Sequence, residues 1–598
     1  MYRSIYRRVP ALAGIRPGLP AQRLFSTKPP LPQLRAAFKP ISTAVALTTA
    51  ASLLYLTKPA IEAEASGPMV SNTPASTTIA ELLDDQSRTV MQAKSNSELV
   101  LALFVYKLCS FTWLVEAAPQ MIEFAEKVGL ETPVYYVIRN TFFRHFCGGE
   151  NPEECLEPMS RLSRSGIDCI FDLSVEADLA DGSPSQEQQD AMAEKITRMT
   201  EHSIRTASQG NSVAGAFAAI KITAFGAPAL LLRLNQAIAS LQLSFQDHQK
   251  LGKVDADGVE AIINKLLPTD SEEHKIMRTQ VVQRLRQEKL SLDRIEFTKL
   301  FDIQGPYRDI WWKAQPGEGL LDAEELEAYD RMIARLERVC SLGQELKTGI
   351  MVDAEQSYFQ EAIDYIAMNL QEKYNKRTLE DNSGPVVFNT YQMYTKSAQG
   401  KLELDVERAG RNNFTFAAKL VRGAYMVSER KRAQQLNYPS PIHDSLEDTH
   451  ASYNGGITFL LSKLQVFQET TGEPVQASNS PVVFMVASHN RDSVILTIQE
   501  MEKNNVSRHA GVVHFGQLFG MQDPISYTLG RHGYSIYKYL PYGAIHEVIP
   551  YLLRRAQENS AVLGGVTKER ALMAAELKDR LVGNNVSRKP TVPRASTA

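Results

Sequence analysis

The stretch PVVFMVASHN, Pro481 to Asn490, decides the fold. It is a short apolar run, rich in valine, that closes on polar residues, and it reads as a β-strand with Ser488, His489 and Asn490 at its C-terminal end. Working outward in both directions, the same design recurs seven more times. Upstream lie GIDCIFDLS (Gly166–Ser174), FAAIKITAF (Phe217–Phe225), TGIMVDAE (Thr348–Glu355), PVVFNTYQMY (Pro385–Tyr394) and FTFAAKLVRGAY (Phe414–Tyr425). Downstream lie AGVVHFGQL (Ala510–Leu518) and GYSIYKYLPYG (Gly533–Gly543). Most of these runs are separated by helix-length segments, the alternation of parallel βα units. Eight repeats predict an α/β fold, a closed TIM-like (β/α)8 barrel, whose active site gathers at the C-terminal ends of the strands. Lys221, Asp353, Gln392, Arg422, His489 and Asn490 all fall late in their runs, where such a site belongs.

The barrel is interrupted and flanked. Residues 80–160 read as an N-terminal helical arm, with apolar runs such as SELVLALFVYKL (Ser97–Leu108). Residues 161–240 hold the first part of the barrel and 346–565 the rest, ending in a last helix. Between them, between strands 2 and 3, residues 241–345 form a helical insertion. Its KVDADGVEAIINKLL has an EF-hand-like rhythm through Asp255, Asp257 and Gly258. With Gly258 as the sixth loop position, the first is Lys253 and the twelfth Asn264, where calcium binding needs carboxylates. QPGEGLLDAEELEAY repeats the rhythm with Ala314 at its first position, so the pair reads as degenerate and metal-free. Residues 566–598 read as a C-terminal helix followed by a tail of disordered composition.

Composition narrows the class. The 598 residues are 43% hydrophobic and 22% charged, values of a soluble globular chain, and the net charge of −3 gives no reason to expect a nucleic-acid partner. The five cysteines (Cys109, Cys147, Cys155, Cys169 and Cys340) match no zinc spacing, and their odd count argues against a disulfide framework. The N-terminus carries Arg3, Arg7, Arg8, Arg16 and Arg23 and no acid before Glu62, the signature of a mitochondrial transit peptide over residues 1–40. An apolar segment and linker follow over 41–79. Its run Ile41–Thr57 is shorter than the roughly 20 residues of a spanning helix, and it reads either as an inner-membrane anchor or as part of the presequence.

YLLRRAQENS, Tyr551 to Ser560, sets two arginines side by side. On a helix, Ile545, Val548, Ile549, Leu552 and Ala556 form a packing stripe. Tyr551, Arg554, Arg555 and Glu558 share a second arc, with Arg554 and Glu558 at i,i+4 spacing. The bland reading is a surface ion pair worth little. The sharper one is a pair of planar guanidinium groups orienting a carboxylate. Just upstream, Tyr537, Tyr539 and Tyr542 are placed to wall an apolar pocket.

KLVRGAY, VASHN, FGQLFGM, YLPYG and YLLRRAQEN, in this order and spacing, resemble the proline dehydrogenase family in its eukaryotic mitochondrial form. The resemblance runs from about Phe142 to Gly564, interrupted by the insertion. It implies a barrel holding noncovalent FAD, oxidation of L-proline to Δ1-pyrroline-5-carboxylate, and electrons passed to ubiquinone at the matrix side of the mitochondrial inner membrane. It implies that Arg554, Arg555 and Lys221 grip the substrate carboxylate, that Asp353 belongs to the site, and that Leu518, Tyr539 and Tyr551 wall the pocket. Flavin-contacting positions correspond to Gln392, Lys419, Val421, Arg422, Gly423, Tyr425, His489 and Glu558. One departure stands out: Lys419 occupies a position where bacterial members carry an arginine near the flavin N5. Tyr539 resembles the residue of the proline-specific enzymes; relatives acting on hydroxyproline tend to carry a smaller one.

The chemistry suits these residue types. A flavin does the electron chemistry, and the protein supplies orientation and electrostatics. A cationic clamp holds the ring at near-attack distance. No metal or nucleophile is needed. The amine must lose a proton, water is the default acceptor, and a tyrosine of ordinary pKa is a poor base. Two rival readings remain: a hydroxyproline dehydrogenase, or an inactive barrel serving as a calcium-responsive interaction scaffold.

Overall fold

The computed structural model describes residues 74–84, 91, 94–174, 185–209, 215–267, 272–314, 320–377, 384–561 and 563–582. The expected transit peptide, the run Ile41–Thr57 and the tail from residue 583 lie outside the described residues. Each of the eight apolar runs forms a strand. They are β1 (Ile167–Leu173), β2 (Ala216–Ile220), β3 (Thr348–Val352), β4 (Val387–Gln392), β5 (Phe416–Val421), β6 (Val482–Ala487), β7 (Val513–Leu518) and β8 (Ile536–Tyr542). They pair in sequence order, all parallel, and β8 closes on β1 with Ile170 opposite Tyr539. Closure leaves no strand edge and explains the unbroken apolar character of the runs: β3 is buried at every position.

The barrel interior is packed. The Phe217 ring stands edge-on to Phe388, Tyr537 and His514, with centroids 5.2, 4.9 and 5.6 Å away. Gly349 on β3 is there because a Cβ would occupy the space of the Phe217 ring. This aromatic plug fills the barrel and leaves the polar strand ends to face a cavity at its mouth. The outer helices start on local caps. Ser185 forms a capping box with Gln188 on Gln186–Ser208, and Asn490, directly after β6, accepts from the Ser493 amide.

The chain leaves the barrel after the helix Pro228–His248 and returns on Ala323–Glu345, which packs on Gln186–Ser208 and β3. Between them lies a helical insertion with two short ladders, Val254–Asp255 against Ser291–Leu292 and Lys313–Ala314 against Leu321–Asp322. Its acids are engaged in structure. Asp255 caps Ala256–Leu266 by accepting from the Gly258 amide at 2.9 Å, and Asp257 pairs with Arg286 at 2.7 Å. Asp322 forms a capping box with Glu325. The fully buried Trp311 and Trp312 tie the segment together through indole bonds of 2.8 Å to the carbonyls of Leu300 and Phe301.

The N-terminal arm folds over the barrel mouth. Helices Asn96–Cys109 and Thr112–Lys127 pack against the last barrel helix, Ile545–Ala561. The C-terminal helix Leu563–Leu581 lies on Asn96–Cys109, and Arg580 reaches back to the carbonyls of Lys94 (2.7 Å) and Met91 (2.9 Å). Asp523, behind β7, takes both Lys94 of the arm and Lys538 of β8, the latter at 2.8 Å.

Candidate functional site

A cavity of about 1060 Å³ opens at the C-terminal ends of the strands. Every site residue implied by the family resemblance lines it: Lys221, Asp353, Gln392, Lys419, Val421, Arg422, Gly423, Tyr425, His489, Leu518, Tyr539, Tyr551, Arg554, Arg555 and Glu558. They come from strand ends that are far apart in the chain but adjacent in the closed ladder, as Gln392 is opposite Val421 and Leu518 opposite Tyr539. Of the three tyrosines on β8, only Tyr539 reaches the cavity. Tyr537 belongs to the aromatic plug, and Tyr542 is buried with its hydroxyl on Ser203.

The floor is a charge network. Lys419 donates to Asp353 Oδ1, and the Tyr539 hydroxyl donates to Asp353 Oδ2 at 2.6 Å. Lys221 donates to Asp172 Oδ1 at 2.9 Å. Burial alone would raise the Asp353 carboxyl, but the ammonium groups of Lys419 and Lys221 outweigh it and hold the group below its ordinary value. Tyr539 is pushed well above the ordinary phenol range, first by burial and then by the carboxylates of Asp172 and Asp353. It stays a hydroxyl and a donor. Behind the floor, burial raises the Glu355 carboxyl to about 7; it accepts from Thr223 Oγ1 at 2.8 Å. Its backbone carbonyl receives the Gln392 amide at 2.9 Å and aims that side chain.

One wall is built around Arg422. Its guanidinium donates to Ser488 Oγ at 2.7 Å and Ser493 Oγ at 2.9 Å, contacts His450 Nδ1 at 3.1 Å and stacks 4.1 Å above the Tyr453 ring. Gly423 follows it because a Cβ there would collide with the Tyr394 ring. His489 Nε2 accepts the Leu518 amide at 3.0 Å, which assigns the ring proton to Nδ1. Burial, then the charges of Lys538 and Arg555, lowers His489 to about 3, so the ring is neutral.

The arginine helix roofs the cavity. Val548, Ile549, Leu552 and Ala556 are buried on its packing face, while Tyr551, Arg554, Arg555 and Glu558 face the cavity. An ion pair forms at i,i+3 spacing, where Arg555, 5% exposed, holds Glu558 at 2.7 Å, and the charge of Arg554 at i,i+4 also acts on the Glu558 carboxyl. Arg555 also lies 5.0 Å over the Tyr551 ring. The Tyr551 hydroxyl, Arg555 Nε and Asn559 Oδ1 are buried without a partner. Such groups are costly unless a ligand satisfies them.

The cavity is far larger than an amino acid requires and matches the upper end of ligand pockets, about 1,000 Å³. Six cations (Lys221, Lys419, Arg422, Arg491, Arg554 and Arg555), the partnerless atoms of the roof and the neutral His489 together fit a large anionic cofactor plus a small carboxylate. The sequence pattern described as "Proline dehydrogenase" matches residues 155–568. The chain belongs to the proline dehydrogenase family. It is 32% identical over 559 residues to human "Proline dehydrogenase 1, mitochondrial", covering 82% of this chain and 88% of that one. It is 39% identical over 249 residues to the Xenopus laevis "Hydroxyproline dehydrogenase", covering 42% of this chain and 50% of that one. The barrel of proline utilization A from Bdellovibrio bacteriovorus superposes with a TM-score of 0.52 at 15% identity, over 86% of this chain and 43% of that longer one; it supports the fold. Family membership implies a flavin in general terms, and the cavity has room for one.

Sequence reasoning missed several proline dehydrogenase cavity residues. Asp172 sits late in its run, the same signal that marked Asp353, yet it was not singled out. His450 braces Arg422 from a helix that carries no motif of its own, and Ser488 braces it from within VASHN, the motif that marks His489. Glu81 and Glu569 lie outside the family-matched residues and reach the cavity only through the way the chain ends fold.

Proposed function

We propose that the protein oxidises L-proline to Δ1-pyrroline-5-carboxylate, the first step of proline catabolism, using FAD and delivering electrons to ubiquinone at the matrix side of the mitochondrial inner membrane. The observation that carries this reading is the roof of tandem arginines set over Lys221 at a barrel mouth in a proline dehydrogenase family chain. Arg554, Arg555 and Lys221 are the cations for the substrate carboxylate. Planar guanidinium groups fix its orientation as well as its position. Tyr539, Tyr551 and Leu518 wall the ring.

FAD, when bound, supplies the hydride acceptor. Gln392, Lys419, Val421, Arg422, Gly423, Tyr425, His489 and Glu558 are the residues proposed to hold it. Orientation by the clamp makes the reacting carbon and its acceptor near neighbours, which accounts for most of what the protein must contribute. The roof helix and the arm above it exclude water and strengthen each charge contact beneath. Tyr539 keeps its proton on Oη, donated to Asp353, so it does not act as the base, and water takes the amine proton.

Two features support the finer parts. The fixed Tyr539 phenol crowds the ring site and favours proline over hydroxyproline. The arm turns an apolar face outward at Trp113, Met121 and Phe124, which suits a membrane surface.

Anaerobic titration tests the reading. The purified protein is expected to be yellow, and proline should bleach its flavin absorbance more readily than hydroxyproline does. A protein that takes up no flavin, or whose flavin proline leaves oxidised, overturns it. Preferential bleaching by hydroxyproline reassigns the substrate.

A further inference from the structure

Asp172 is the penultimate residue of β1, lines the cavity floor and is 2% exposed. In the barrel ladder it stands opposite Ala219 of β2 and Pro541 of β8, so it lies between Lys221, just past β2, and Tyr539 of β8. Both oxygens are used. Oδ1 accepts from Lys221 Nζ at 2.9 Å, and Oδ2 accepts from the Ser174 hydroxyl at 2.9 Å. A buried carboxylate with a hydrogen bond at each oxygen is held in one orientation, and it passes that rigidity to its partner.

Lys221 needs such a partner. Its flexible stem carries a point charge with no built-in direction, unlike the planar arginines above. Two other acids, Asp353 and Glu355, also lie within its electrostatic reach. Asp353 is already engaged by Lys419 and by the Tyr539 hydroxyl. An ammonium drawn to Asp353 would compete with both and would leave the place it holds beside Asp172.

We infer that Asp172 is a positioning residue for substrate binding: with Ser174 behind it, it holds the Lys221 ammonium away from Asp353 and presents it to the substrate carboxylate. This rests on the proposal that Lys221 is part of the carboxylate clamp. Asp172 acts chiefly through Lys221, with the Tyr539 hydroxyl also within its reach, and the effect falls on KM. A general loss of folding or of flavin would lower kcat and cofactor content together.

A double-mutant cycle tests it. Asp172→Asn, nearly isosteric, should raise the proline KM about tenfold or more while kcat changes less than about threefold and the flavin content stays constant. Lys221→Met should raise KM at least as much. The double variant should match Lys221→Met alone to within about twofold, because the ammonium that Asp172 positions is gone and only its reach to Tyr539 remains. Asp172→Glu, which keeps the charge, should recover part of the loss, and Ser174→Ala should show a smaller rise of the same kind. Additive effects in the double variant, or an unchanged KM in Asp172→Asn, overturn the inference. If Asp172→Asn does not fold, the Ser174→Ala and Asp172→Glu values decide: unchanged KM in both overturns it. An unchanged KM in Lys221→Met instead overturns the clamp itself, so the two failures are distinguishable.

Discussion

At the scale of single residues, the roof and the floor are built differently. Arg555 is buried and leans on Glu558 and the Tyr551 ring, yet its Nε lacks a partner. It is therefore strung to receive an anion. Arg555→Met should raise the proline KM by the equivalent of about 2 kcal/mol or more, a factor of tens, as read by steady-state kinetics. A KM within twofold of the wild type would remove Arg555 from the clamp. Glu355 gives a second test, through pH. Its carboxyl sits at about 7 in the fold, above its unfolded value near 4.3, so its contribution to stability is complete below about pH 4 and lost as pH rises through 7. Glu355→Gln keeps an acceptor for the Thr223 hydroxyl and removes the titration. Its stability relative to the wild type should improve by about 3 kcal/mol between pH 4 and 8, measured by denaturant unfolding across that range. Residues of this kind were legible in the sequence to different degrees. Arg554 and Arg555 announce themselves because adjacent guanidinium groups are conspicuous on any helix. Asp172 does not, since one acid in an apolar strand looks like Asp168 of the same strand, which the cavity does not use.

At the scale of elements, the barrel was readable because burial on both faces forces strands to be apolar throughout, and PVVFMVASHN is that constraint written out. The arginine helix was readable from its two arcs, and the structure keeps them. The 2.7 Å pair of Glu558 with Arg555 was not, because i,i+3 and i,i+4 spacings are nearly equivalent on a helix and the surroundings decide. The path of the chain ends was also hidden. Nothing in Leu563–Leu581 says that it lies on Asn96–Cys109, a contact set by Arg580 reaching Lys94, Met91 and Asn96 and by Met573, fully buried beside Met91 and Leu99. Removing that arginine should loosen one element and leave the barrel intact. Arg580→Ala should speed amide hydrogen exchange in 563–582 and 94–109, with the strands β3 to β6 unchanged. Uniform acceleration through the strands would mean that these helices and the barrel unfold as one unit.

At the scale of the whole molecule, the arm connects the site to its surroundings. Helix Thr112–Lys127 has two apolar faces. One, with Val115 and Ala125, is buried, and the helix packs on the arginine helix; the other turns Trp113, Met121 and Phe124 outward at 65, 53 and 64% exposure. Phe111, Val128, Leu130, Tyr136 and Val137 extend the outward surface into the flanking turns and the next helix. A helix of a soluble protein keeps one stripe apolar, and a second stripe led by tryptophan and phenylalanine is the composition of a membrane interface. Among the described residues no single helix is long and apolar enough to cross a bilayer, and Thr112–Lys127 meets Asn96–Cys109 at 90°. That bend suits a surface lying in the headgroup layer. Docked this way, the roof of the site would sit against the membrane, on the side from which the proposed quinone acceptor would arrive. Flotation with vesicles of phosphatidylcholine and cardiolipin measures this. The wild type should rise with the vesicles, and Trp113→Glu with Phe124→Glu should stay in the dense fraction while proline still bleaches its flavin, since neither side chain lines the cavity. If the double variant floats equally well, the membrane contact lies elsewhere on the protein. If the wild type itself does not float, attachment to a bilayer is not a property of the folded chain.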